Sequence, residues 1–148
     1  MAEITRKELL MALIGADRVR LAGVDLSGLN MRRLDLEGAN LRGAIIQNAD
    51  LQEAILRSTN MTGVRAVGAK MGAADINAAN LTAADLTIAH LQGARLTGVN
   101  FQDAILNGAN LLNANLKGAN VNGVKFDAGT TWPDGRQGIN INPPDYTK

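Results

Sequence analysis

His90 is the chain's only imidazole, and imidazole is the commonest general acid or base. Nucleophilic chemistry would require it to face a hydroxyl or thiol and to be oriented by a third group. The chain has no cysteine, which also removes disulfides and thiolate metal sites. His90 stands directly before Leu91, in a register that elsewhere carries Asp or Asn, and reads as a turn-site substitution rather than a catalyst. The aspartates recur singly and without EF-hand spacing, which points to turn hydrogen bonding and to no metal. The glycines recur in steps of five, as turn punctuation and not as a phosphate-binding loop. Asn60-Met61-Thr62 and Asn80-Leu81-Thr82 match the glycosylation triplet. The segment Met1 to Lys7 turns charged at once, however, and no long apolar run follows it. No secretory signal or membrane span is therefore expected, both triplets are discounted, and a cytoplasmic location is anticipated. These residues predict no enzyme, no cofactor and no metal site.

The elements that carry these residues follow from a period of five. Every fifth position from Leu21 is apolar: Leu21, Leu26, Met31, Leu36, Leu41, Ile46, Leu51, Leu56, Met61, Ala66, Met71, Ile76, Leu81, Leu86, Leu91, Leu96, Phe101, Leu106, Leu111, Leu116, Val121 and Phe126. Of these 22 centres only Ala66 is not large. Asp or Asn precedes the centre in 13 of 22 repeats, and Gly lies two residues after it in 11. Five residues advance an α-helix by about 500° and flip a straight strand to its other face, so neither element holds the centres together. A short extended stretch followed by a turn, once per repeat, does. The centre and the residue two before it then face inward. Ala at that second position in ten of the eleven repeats from Ala69 to Ala119 says that the interior is narrow.

Runs such as Ala39-Asn40-Leu41-Arg42-Gly43, Ala49-Asp50-Leu51-Gln52-Glu53 and Ala119-Asn120-Val121-Asn122-Gly123 resemble the pentapeptide-repeat family. The resemblance covers about three quarters of the chain. It implies an all-β solenoid, a right-handed quadrilateral β-helix with four repeats per coil. Charge spacing agrees with that coil length. Arg33–Glu53, Glu37–Arg57, Asp50–Lys70, Arg65–Asp85 and Asp75–Arg95 are opposite in sign and 20 apart, whereas charged pairs 25 apart are alike. The 22 repeats would make about 5.5 coils, about 26 Å tall at ~4.8 Å per coil. Asn40, Asn60, Asn80, Asn100 and Asn120 would stack as a ladder. Val64, in place of the usual Ala, is expected to fill part of the gap at Ala66.

Both ends of such a core need closing. Thr5-Arg6-Lys7-Glu8 has capping-box spacing, and Leu9, Leu10 and Leu13 form one stripe, so a short helix from about Thr5 to Ile14 should cap the first coil. Trp132 is expected to cover the last coil rather than to stack a ligand. The tail Thr130-Thr131-Trp132-Pro133-Asp134-Gly135 is similar to tails of cyanobacterial members of the family. Asn142-Pro143-Pro144 excludes a regular C-terminal helix and suggests a loose end beyond about residue 138. The expected segments are 1–18 (helical cap), 19–128 (β-helix) and 129–148 (capping loop and loose tail).

Aromatic residues are only 3% of the chain, so the core must be aliphatic. Lys plus Arg is 15 and Asp plus Glu is 14, a net +1 that supplies no strong field for nucleic acid or an anionic membrane. A non-catalytic protein-binding or scaffold module is expected, probing its partner through outward residues such as Arg42, Gln47, Gln52, Arg57, Gln92 and Gln102. Arg65 and Lys70 replace Asp or Asn before two successive centres, with Arg57 nearby. Their first reading is salt bridging to Asp85 and Asp50. Their second is a basic edge for an acidic partner. The resemblance also implies an alternative, a DNA mimic acting on DNA gyrase. The near-neutral charge and the absence of a helical dimerisation tail disfavour it. Because the tail covers the last coil, a monomer is expected.

Overall fold

The computed structural model describes residues 2–15 and 17–148; Met1 and Ala16, within the expected 1–18 cap, lie outside the described residues. The unit of the fold is a turn. The carbonyl of each centre from Leu21 to Val121 accepts a hydrogen bond from the N–H three residues on, as from Val24 to Leu21 (3.1 Å) and from Ala89 to Leu86 (3.0 Å). The residue two after the centre has positive φ, 72° at Gly23 and 64° at Gly63, the requirement of a type II turn at its third position. Ten non-glycine residues adopt the same conformation, among them Ala73, Ala78, Ala83 and Ile88.

The residue before the centre secures the turn from its other side. All 13 Asp and Asn side chains at that position accept, through Oδ1, the backbone N–H two residues later. Turn hydrogen bonding is therefore what these side chains do, as their register predicts.

Parallel bridges then join residues 20 apart, from Arg20↔Asn40 to Ile105↔Lys125. Each centre from Leu21 to Leu111 donates its N–H to the next coil or the tail, as Leu21 does to the Asn40 carbonyl (2.7 Å). Asn40 in turn donates to the Val19 carbonyl behind it (2.8 Å). Four repeats separate stacked residues, so the centres form four inward columns. From Leu26 to Leu111 they are essentially sealed from solvent, with Ala residues such as Ala44, Ala74 and Ala104 beside them. Val64 and Ala66 are both fully buried. Burial of each Leu, Ile or Met centre contributes roughly 1.5–3 kcal/mol. Phe126, expected in the core, is only partly buried. It occupies the last repeat, and Trp132 covers it edge-on (centroids 5.1 Å, 89°).

At the N-terminal end, helix α1 (Arg6–Leu13) starts from an N-cap Thr5. The Glu8 N–H donates to Thr5 Oγ1 (3.2 Å) and the Thr5 N–H donates to the Glu8 carboxylate (2.6 Å). The Thr5 N–H bond, and the Thr5 hydroxyl donating to the same carboxylate (2.8 Å), hold the Glu8 carboxyl below its ordinary range. Leu9 is fully buried, the Glu3 N–H donates to the Asp25 carbonyl (2.7 Å), and the Arg6 guanidinium donates to the Asn30 carbonyl.

The C-terminal segment differs from the loose end anticipated. Thr131 pairs with Asn110 and with Gln137, and Trp132 is completely buried. A single 3-10 turn, Pro143–Tyr146, brings Tyr146 flat onto Trp132 (centroids 5.5 Å, 10°). The Tyr146 hydroxyl donates to Asp134, and the Thr147 carbonyl accepts from the Gly118 N–H (2.7 Å). The prolines forbid a long helix but not this short one, and aromatic stacking holds it.

Candidate functional site

Outward side chains come from three positions per repeat, the residue before the centre and the two after it. Stacking at 20 residues arranges them as vertical ladders on four sides. The bridges Ile55↔Asp75, Arg65↔Asp85 and Lys70↔His90 belong to three different ladders. Arg57, which follows the centre Leu56, shares the first of those sides. Arg57, Arg65 and Lys70 therefore do not converge on one basic edge.

Their electrostatics differ too. Arg57 donates to Glu37 (2.8 Å) and lies 3.7 Å from Asp75, and its guanidinium pKa is raised, chiefly by the Glu37 hydrogen bond. Arg33–Glu53 (2.8 Å) and Arg95–Asp75 (3.5 Å) also pair as their 20-residue spacing predicts. The pairs expected for Arg65 and Lys70 are not formed among the described residues, a correction to the first reading of these cations. Competition accounts for Lys70, since Arg32 approaches Asp50, and nothing in the structure explains why Arg65 does not pair with Asp85. Asp85 Oδ1 accepts both the N–H (3.1 Å) and the hydroxyl (2.6 Å) of Thr87. Asp50 accepts the Gln52 N–H (3.1 Å) and lies 3.6 Å from Arg32. The Asn ladder closes with a side-chain bond from Asn120 to Asn100 (3.0 Å).

Several hollows interrupt the surface among the described residues, one of them lined by Arg18, Arg20, Asn40 and Asn60. Another lies between α1 and the first coil, lined by Leu10, Leu13, Leu34 and Leu36 with Asp17, Asp35 and Glu37. A further one lies in the tail around Asp134, Arg136 and Tyr146. There is also an open depression of about 330 Å³ on one side, lined by Gln52, Lys70, Gly72, His90 and Gln92. Here Lys70 and His90 are bridged neighbours, and both side chains are exposed. His90 is thus placed beside an ammonium rather than a carboxylate. Among the described residues, no three His, Asp or Glu side chains converge as metal ligands. The depression escapes sequence reasoning that follows only apolar centres and two-residue-later glycines. Its signal was present, since Gly72 is the only glycine among the 22 residues that directly follow a centre.

With this geometry in place, comparison with known proteins is informative. The profile for pentapeptide repeats matches in 8 copies, over residues 20–57, 35–72, 67–103 and 94–128. The structure of a pentapeptide-repeat protein from the cyanobacterium Cyanothece 51142 is similar, with a TM-score of 0.75 and 26% identity. That match covers 76% of this chain and 90% of the other. A pentapeptide-repeat protein of the Arabidopsis thaliana thylakoid lumen is 32% identical over 74% of this chain, with a TM-score of 0.46. The matched region spans 64% of that longer protein. A plasmid-mediated fluoroquinolone resistance protein is 23% identical over 73% of this chain and 77% of its own, with a TM-score of 0.33. No curated protein sequence matches.

Proposed function

The chain belongs to the pentapeptide-repeat family, and from that premise we propose that it is a non-catalytic binding or scaffold module for another protein. Its fold is the right-handed quadrilateral β-helix that the family and its solved members imply. About 5.5 coils, closed at one end by α1 and at the other by Trp132, complete the architecture of this proposal.

The observation that carries the reading is the employment of the polar residues. All 13 Asp and Asn side chains before the centres secure turns. What remains outward is a set of flat, rigid ladders of Gln, Thr, Asn and charged groups. Such a surface loses little conformational entropy when a partner docks. The inward space holds Leu and Ala, which supports a role without chemistry.

The partner is proposed to be a protein, and nucleic acid and membrane are not favoured by a net charge of +1. No helix among the described residues is long and apolar enough to cross a membrane. A cytoplasmic location and a monomeric state are part of this proposal. The DNA-mimic alternative gains no support from the charge or from the tail, which forms one 3-10 turn. An unaltered gyrase supercoiling reaction at micromolar protein is expected.

The deciding experiment is a native affinity pull-down from the source cell, followed by size-exclusion chromatography. Co-elution of one protein at fixed stoichiometry is expected. Absence of any such partner overturns the scaffold reading. Arg57, Arg65 and Lys70 are changed to Asn one at a time, because they lie on different sides. Loss of the partner with one variant then identifies the side that binds.

A further inference from the structure

We propose that the depression around Gly72 is a carboxylate-binding notch, shaped to take an Asp or Glu side chain from an acidic segment of a partner protein. The proposal rests on the protein-binding reading above and names one site for it.

The first observation is the glycine itself. The residues following the stacked centres on this side are Arg32, Gln52, Gly72, Gln92 and Leu112. Gly72 alone has no side chain, so the ladder is broken between Gln52 and Gln92. The backbone does not demand it. Gly72 lies outside the positive-φ positions, and a Cβ there would sit 3.6 Å from the Gln92 carbonyl and 4.0 Å from Gln52 Cγ, ordinary contacts. A glycine that neither a turn nor crowding requires keeps the surface open.

The second observation is charge. Two neighbouring rungs beside the gap, Lys70 and His90, replace the Asp or Asn of most repeats. Asp50 is the adjacent carboxylate on that ladder, and it is engaged by Arg32 at 3.6 Å and by its own turn. Lys70 is left without a counter-ion among the described residues. The third observation concerns the donors. Gln52 Oε1 accepts from Arg32 (3.3 Å), which leaves the Gln52 amide with two free N–H groups. Gln92 lies on the opposite rim. An ammonium, an imidazole and two primary amides around an open floor form a donor-rich hollow suited to a planar oxyanion. Its openness suits a side chain presented by a protein surface.

The test is a titration of the full chain followed by amide NMR, with hexaglutamate peptide as probe. Hexaglutamine and inorganic phosphate are the comparison arms. Saturable shifts by hexaglutamate at Gly72, at the side-chain amides of Gln52 and Gln92, and at His90 are expected. Hexaglutamine should give none, and phosphate should bind more weakly. Lys70→Gln should weaken the peptide about tenfold or more. Gly72→Thr, which fills the gap and is compatible with the backbone, should abolish the localised shifts while the remaining spectrum is unchanged. Shifts spread evenly over the surface, or unaffected by Gly72→Thr, would overturn the notch. Equal or tighter phosphate binding would replace the acidic peptide by a free anion and overturn the partner chemistry. These outcomes do not depend on the pull-down. A notch that binds hexaglutamate in a protein with no cellular partner would sink only the scaffold reading, and a partner retained by Gly72→Thr would place docking on another side.

Discussion

Ile88 holds φ at 52°, a conformation that a β-branched side chain resists, and it is 54% exposed. The left-handed region costs an L-residue roughly 1–2 kcal/mol. Its methyl groups rest over Gly68 and Gly108 on the coils to either side, where a Cβ at Gly108 would come within 3.0 Å of Ile88 Cγ2. Asn48 occupies the same corner two positions down the stack, also with positive φ. Ile88→Asn is therefore expected to raise stability by ~0.5 kcal/mol, measured by urea unfolding, because Asn tolerates this backbone. Ala66 raises the opposite question, whether the core has room. Val64 and Ala66 are sealed together, so Ala66→Leu should destabilise the fold through overpacking by ~1–3 kcal/mol and lower the melting temperature. A higher melting temperature with no loss of order would show that Val64 leaves the gap unfilled. The roles of the Asp and Asn residues were legible from their register alone. The fate of Lys70 was not, because it depends on which neighbour captures Asp50.

The two closing elements depend on different forces. Trp132 is buried between Phe126 and Tyr146, yet its Nε1–H has no hydrogen-bond partner among the described residues. Burying an unpaired donor costs about 1–3 kcal/mol and offsets part of the gain from the ring's area. Trp132→Phe should thus cost less than about 1 kcal/mol, whereas Trp132→Ala should cost about 3–5 kcal/mol in the same unfolding assay. Asp127 ties the last repeat to the coil beneath it. Its carboxylate accepts the Gly108 N–H (2.8 Å) and the Gly129 N–H (2.9 Å). The Gly108 bond is the main cause of its lowered pKa, and Thr130 adds to it. A carboxyl whose folded pKa is depressed stabilises above its unfolded value, 3.8, and loses that contribution as pH falls through the lower folded value. The melting temperature should therefore drop on acidification below about pH 4, and Asp127→Asn should flatten that drop. An unchanged acid profile in the variant would separate Asp127 from the acid response. The capping box at Thr5 could be read from four residues. The aromatic stack of the tail could not, since Tyr146 reaches Trp132 only through the intervening fold.

The molecule as a whole is a prism with nearly balanced charge, and its ion pairs lie on the outside. Arg33–Glu53 and Arg57–Glu37 join exposed side chains, so salt should screen them with little consequence. A melting temperature that moves by less than about 3 °C between low and high salt is expected, and a larger fall would show that the charge ladders carry stability. By itself the sequence determined the repeat, the inward and outward faces and the turn chemistry, because each depends on a local pattern repeated 22 times, whereas the 20-residue register came from the family resemblance with charge spacing in agreement. Only the tertiary structure decided which ion pairs form, how the tail folds back, and that the break at Gly72 lies beside Lys70 and His90. Those outcomes depend on competition among groups brought together by stacking, and neighbours 20 residues apart become chemistry only once the coils are closed.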